Sequence, residues 1–172
     1  MPLKLEDKRA IVATVNKIAS TAQSAVAAEY RGLTVTQMTQ LRDQARTADV
    51  YLRVVRNTLA RRAVRETDFE CLQDILVGPV VLAFSINDPG AAARVIREFA
   101  KKNDKLVVKG IAIGGQLLEP LKIEKVANLP TYPQALSQLM SVIKAPIGQL
   151  VRTIQEPYTK LVRTLAAVRE RN

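Results

Sequence analysis

The period of the hydrophobic positions changes several times along this chain, and each change marks an element. Between residues 4 and 20, Ile11, Val12, Val15, Ile18 and Ala19 recur on one helical face, while Lys4, Lys8, Arg9 and Lys17 mostly lie elsewhere, which predicts a first helix. Ser24 to Arg31 reads as a short strand closed by Gly32. Thr34 and Gln37 then form a capping box, opening a helix with Val35, Met38, Leu41, Ala45 and Ala48 facing in. Tyr51 to Val55 alternates and is rich in β-branched and aromatic residues, so it predicts a strand. Leu59, Ala60, Ala63 and Val64 return to helical spacing, with Asn57 where an N-cap belongs. Thr67 and Glu70 make a second capping box, predicting a short helix with Phe69, Leu72 and Ile75 or Leu76 inward, ended by Gly78-Pro79. The run Val80 to Ser85 is too short and too β-rich for a helix and predicts a buried strand. Asp88-Pro89 marks a helix start with proline at the first position. That helix runs to about Lys102, with Ala92, Val95, Ile96 and Phe99 inward and Arg94, Arg97, Lys101 and Lys102 largely outside. Residues 105–113 predict a last strand before Gly114-Gly115.

The core order is strand, helix, strand, twice over, with an excursion between the halves. A ferredoxin-like split β-α-β domain of the α+β class, with extra helices, satisfies this order. A small doubly wound parallel sheet is the alternative. Either way the helix of the excursion is expected beside the sheet rather than buried in it.

After Gly115 the character changes. Residues 121–128 and 134–144 predict two short helices, the second boxed by Thr131 and Gln134, around a rigid connector from Leu129 to Pro133. An internal repeat comes next. The nine residues from Pro146 to Ile154 are echoed by the nine from Pro157 to Leu165, at an offset of eleven. Eleven residues are about three helical turns, so both copies show one face. That face is apolar at Ile147, Leu150, Ile154, Tyr158, Leu161, Leu165 and Val168, and Pro157 is placed to kink the helix. Residues 134–144 carry an apolar face but not the proline-headed pattern, so two copies are expected. The expected division is a globular domain over residues 1–130 and a protruding amphipathic helical extension over 131–172. A tail folded back on its own core is the plain alternative. Two equal copies favour two equal partners instead. A helix lying on a membrane is a weaker reading, because Glu156 and Glu170 lie among the bases and no Trp or Phe anchor is present.

Charge sharpens this picture. Lysine and arginine number 26 against 16 acids, a net charge of +10, which favours nucleic acid or an acidic surface as partner. The predicted strand-turn-helix from Tyr51 to Arg65 holds five arginines, Arg53, Arg56, Arg61, Arg62 and Arg65, and no acid lies between Asp49 and Glu66. A helix start after a strand points backbone N–H groups and a positive dipole end outward, which suits a phosphate. The same cluster could equally form a solvated basic helix. Lys8 and Arg9 on the first helix are secondary candidates. With one cysteine, Cys71, and no histidine, neither an internal disulfide nor a usual zinc site or His-based catalysis can be built. A nuclease would need clustered carboxylates. The closest group, Asp68, Glu70 and Asp74, fits one capped helix better, so no enzyme, cofactor or metal is expected.

Several segments together resemble a known family. They are Arg31 to Val35, Leu41-Arg42, Val55 to Leu59, Arg61-Arg62-Ala63, Gly78-Pro79 and the repeated Leu-Val-Arg-Thr of the tail. In order and spacing they are similar to bacterial large-subunit ribosomal protein ten, the base of the ribosomal stalk. The resemblance implies a cytoplasmic structural component of the ribosome. It implies a globular domain bound to large-subunit ribosomal RNA beside another ribosomal protein, with Lys8, Arg9, Arg53, Arg56, Asn57, Arg61, Arg62 and Arg65 as the positions expected to meet RNA. It implies a C-terminal helix holding dimers of the acidic stalk protein, two on the reading above, which recruit translation GTPases. Members can also repress their own messenger RNA. Arg56 stands where the family often has lysine, and either holds a phosphate. A free messenger-RNA-binding regulator is the alternative function.

Overall fold

The computed structural model describes residues 4–65 and 67–171; Glu66, which closes the acid-free stretch, lies outside them. The chain divides into two compact units, Met1–Thr131 and Tyr132–Asn172. The first contains helices α1 (Leu5–Thr21), α2 (Val35–Thr47), α3 (Asn57–Val64), α4 (Ala91–Lys102) and α5 (Ile123–Ala127), and strands β1 (Ser24–Glu29), β2 (Val50–Val54), β3 (Val80–Ser85), β4 (Val107–Ile113) and β5 (Gln116–Leu118). The second is one helix, α6 (Tyr132–Arg171).

The strands form one sheet in the order β2-β3-β1-β4-β5, and every pairing is antiparallel. Placing β3 between β1 and β2 is the arrangement of a split β-α-β fold and excludes the parallel alternative. The strand period of two sorts side chains onto opposite faces. On one face Ala25, Ala27, Val80, Leu82, Phe84 and Ala112 pack with Val15 and Ala19 of α1 and with Leu59, Ala60, Ala63 and Val64 of α3. On the other Val26, Ala28, Val81, Ala83 and Ile111 pack with Leu41 and Ala45 of α2 and with Ala92, Ala93, Ile96 and Phe99 of α4. Buried on both sides, β1 and β3 are therefore apolar without alternation. The excursion helix α3 is not merely beside the sheet. Its apolar stripe shares the cover of this sheet face with α1, at roughly 25 cal/mol for each Å² withdrawn from water.

Several expectations are corrected. Asn57 is the first helical residue of α3, and Arg56 is its N-cap, because the Asn57 amide instead donates to the Gly78 carbonyl at 2.9 Å. Val35 is exposed, since the buried residues of α2, Leu41 and Ala45, begin only after its first turn. No capped helix starts at Thr67. Its hydroxyl donates backward to the Val64 carbonyl at 2.7 Å, and a 3-10 turn, Glu70–Leu72, comes after it. Phe69 and Leu72 are nonetheless buried, and Phe69 meets Phe84 edge to face at 6.0 Å. Pro89 lies before α4, where the Asp88 carboxylate accepts from the Gly90 amide at 3.0 Å. Strand β4 is joined to β5 through a Gly114-Gly115 hairpin, so it is not the last strand. Residues 134–144 are not a separate helix. They belong to α6, which runs as helix through Pro146 and Pro157.

Arg94 is another departure. Rather than facing solvent, its guanidinium pairs with Asp88 at 2.8 Å and donates to the carbonyls of Ala127 and Leu129, each at 2.9 Å. These bonds tie the chain after α5 onto α4. A side chain at Gly90 would stand 2.8 Å from the same guanidinium, so the clamp needs glycine there. Strand β4 carries one extra residue opposite Ala27 and Ala28. This bulge falls at Lys109, whose ammonium reaches Glu29 at 2.8 Å and the Val77 carbonyl at 2.7 Å.

Candidate nucleic-acid interface

The basic strand-turn-helix is held by its apolar side. Val55, Leu59, Ala60, Ala63 and Val64 are buried, which leaves the intervening polar positions to solvent. α1 lies against it, and the Asn16 amide donates to the Ala63 carbonyl at 2.9 Å. On the opposite side Asn57 reaches Gly78, which has φ +85°. That left-handed conformation suits glycine, and it turns the chain so that its carbonyl meets the start of α3.

The five arginines divide by role. Arg61 donates from Nε to the Gln73 carbonyl at 3.2 Å and from Nη2 to the Leu76 carbonyl at 3.0 Å, so it braces the 3-10 segment. Arg53 is half-buried and donates to the Tyr51 hydroxyl at 3.0 Å. Arg56, Arg62 and Arg65 are exposed and have no hydrogen-bond or ionic partner among the described residues. Of the lysine and arginine on α1, Lys8 is half-buried and Arg9 exposed, and no shared partner joins them to the α3 arginines among the described residues.

No side chain caps the N-terminus of α3. It opens on a shallow groove lined by Tyr30, Val54, Arg56, Thr58, Gly78 and Pro79. Tyr30 and Thr58 were not singled out from sequence. Tyr30 comes from the end of β1, and only the β1–β3 pairing brings it to Pro79, where its amide bonds the Pro79 carbonyl at 3.2 Å. No local pattern encodes that neighbourhood. The groove's backbone amides and the Arg56 guanidinium present donors and positive charge to an anion, without an acid in its lining.

No group of His, Cys, Asp and Glu capable of holding a metal occurs among the described residues. Burial pushes the Cys71 thiol up from its ordinary range, against a smaller opposing effect of a backbone hydrogen bond, so it is not an activated nucleophile. No helix among the described residues is long and apolar enough to cross a membrane.

On α6, Ile147, Leu150, Ile154, Tyr158, Leu161, Leu165 and Val168 are all more than half exposed. Each proline removes one backbone donor from the helix, leaving the carbonyls of Val142 and Thr153 without their usual partners four residues on.

The family model described as Ribosomal protein L10 matches residues 3–101, and that described as Ribosomal protein uL10 C-terminal region matches residues 129–155. The large ribosomal subunit protein uL10 of Thioalkalivibrio sulfidiphilus is 60% identical over 171 residues, covering 99% of this chain and 97% of its own. That of Methylococcus capsulatus is 61% identical, covering 99% and 98%. That of Alcanivorax borkumensis is 60% identical, covering 99% and 97%. The chain belongs to the ribosomal protein L10 (uL10) family, structural and non-enzymatic proteins of the large ribosomal subunit.

Proposed function

We propose that this protein is the base of the ribosomal stalk. Its first unit binds large-subunit ribosomal RNA through the start of α3, with Arg56, Arg62 and Arg65 meeting phosphates beside the Tyr30–Gly78 groove. Its helix α6 anchors dimers of the acidic stalk protein, one on each proline-headed frame, and so supports the recruitment of translation GTPases. It works in the cytoplasm within the ribosome, next to a neighbouring protein of the large subunit.

One observation carries this reading: exposed arginines without a partner among the described residues on one compact unit, and an exposed apolar stripe on another. The arginines have no aromatic residue between them to stack bases, so phosphate contact is the mode they suit. The stripe suits helix-in-groove recognition, and the net positive charge of α6 suits an acidic partner. Co-sedimentation of the tagged protein through a sucrose gradient tests it. The proposal expects the protein, together with the acidic stalk protein, in the large-subunit peak at moderate salt. Free protein bound only to messenger RNA would instead favour the regulator reading.

A further inference from the structure

Val35 opens α2 where its spacing predicts an inward face, yet it is 85% exposed. It does not stand alone. With Tyr30, Leu33, Met38, Arg42 and Val54 it lines a groove of about 300 Å³. Tyr30 and Val54 line this groove and also the groove at the start of α3, so the two are continuous. Neither lining contains an acid. Glu29, beside Tyr30 in the chain, is paired with Lys109 at 2.8 Å. Arg42 at one end and Arg56 at the other are exposed, without a hydrogen-bond or ionic partner among the described residues.

Both walls are fixed by the protein itself. The Tyr30 amide donates to the Pro79 carbonyl, and the Tyr30 carbonyl accepts from the Leu33 amide, each at 3.2 Å. Between them Gly32 turns the chain at φ +86°. On the other wall the Thr34 hydroxyl accepts from the Gln37 amide at 3.3 Å, and the Thr34 amide donates to the Gln37 side chain at 2.9 Å. Leu33 and Met38 pack against the core cluster beneath. A groove already formed gives up little freedom when it is filled.

An apolar wall with one aromatic ring, cations at both ends and an anion groove beside it matches a nucleotide, which carries a flat apolar base next to a phosphate. An apolar protein side chain would fill the groove but make no use of Arg42 or Arg56. A base inside a duplex is covered on both faces, so only an unpaired one can enter. We infer that the Tyr30–Met38 groove takes a single unpaired base of the bound RNA, stacked on Tyr30, with the adjoining phosphate at the start of α3. This rests on the phosphate reading of α3 and adds a requirement that phosphates alone do not impose: the RNA must offer an unpaired nucleotide beside the contacted backbone.

Binding isotherms of the full chain with a large-subunit ribosomal RNA fragment from the factor-binding region test it. Each unpaired nucleotide of the fragment is made abasic in turn, which removes the base and keeps the phosphate. One such position should weaken binding by about tenfold, with the salt slope unchanged. Tyr30→Leu should weaken binding of the intact fragment by a similar factor, again with the slope unchanged because no cation is removed, and should show no further loss with that abasic fragment. Tyr30→Phe, which keeps the ring, should bind within about twofold of the unaltered chain. Urea titration checks that the variants fold, and the abasic series needs no variant, so it decides the matter even where Tyr30→Leu lowers stability. Abasic changes that all stay within about twofold, or an abasic loss that persists in full in Tyr30→Leu, would overturn the base pocket; a salt slope still lowered by replacing Arg56, Arg62 and Arg65 would then leave the phosphate reading standing. Unchanged RNA affinity in Tyr30→Leu with loss of co-sedimentation would assign the groove to a protein neighbour and overturn the inference. No binding of the fragment by the unaltered chain would overturn both readings together.

Discussion

Arg61 donates from Nη2 to the carbonyl oxygen of Leu76 at 3.0 Å, across fifteen residues of chain. With its second bond to Gln73, this makes Arg61 a brace within the fold, whereas Arg62 beside it has no partner among the described residues. Adjacent arginines in one basic run therefore serve different ends. Arg61→Ala should lower stability by about 1 kcal/mol, because carbonyls near the surface lose a charged donor but regain water. Arg62→Ala should leave stability within about 0.5 kcal/mol. For RNA the order reverses. Replacing Arg56, Arg62 and Arg65 together should reduce the slope of log binding constant against log salt by about one for each phosphate that is no longer neutralised. Urea titrations and binding isotherms across a salt series read both. An unchanged slope in the triple variant would sink the phosphate assignment.

Arg94 clamps the segment after α5, so Arg94→Ala should release it. Three carbonyl or carboxylate partners lose a charged donor, at a cost of about 2 kcal/mol. Amide exchange should speed up from Ile123 to Leu129 while β1 and β3 stay protected. Uniform loss of protection across both regions would show that the clamp is not local.

Gly78→Ala isolates backbone conformation from space. The nearest atom to an added Cβ is the Lys109 ammonium at 3.6 Å, so nothing clashes, but φ is +85°. The cost should be about 1–2 kcal/mol from the left-handed conformation alone. The salt slope of RNA binding should not change, because no cation is removed. A destabilisation under about 0.3 kcal/mol would show that the turn relaxes to a negative φ at little cost.

A chain ending at Thr131 should fold. The two apolar clusters of the first unit are complete by Ala127, and Arg94 secures the chain as far as Leu129. Its unfolding midpoint in urea should match that of the full chain within about 0.3 M. Loss of cooperative unfolding would mean that α6 is required for the core.

Much of this fold was legible because burial leaves periodic marks. The stripe Leu59, Ala60, Ala63, Val64 and the run Val80 to Phe84 announce a helix face and a central strand, and both are buried as read. What failed were local capping rules, overruled by one distant partner and by one three residues back. Asn57 bonds Gly78 rather than its own helix, and Thr67 bonds backward to Val64. Arg94 looked like a surface cation because neither Ala127 nor Leu129 can be seen from its own helix. The same limit applies to the candidate site. Arginine density located it, but which arginines are already engaged depends on carbonyls twelve and fifteen residues away. The continuity of α6 was missed for the opposite reason, since residues 134–144 read as a separate helix ahead of the proline-headed copies and Pro157 as a kink, whereas one helix runs through both prolines.

The central claim is a division of labour, with RNA held by the first unit and acidic dimers by α6. Native mass spectrometry tests it directly on a mixture of the protein, a large-subunit ribosomal RNA fragment from the factor-binding region, and the acidic stalk protein. The full chain should appear as one complex carrying RNA and dimers together. The chain ending at Thr131 should keep the RNA and carry no dimer. Dimers retained on the shortened chain, or RNA lost from it while it remains folded, would contradict the account.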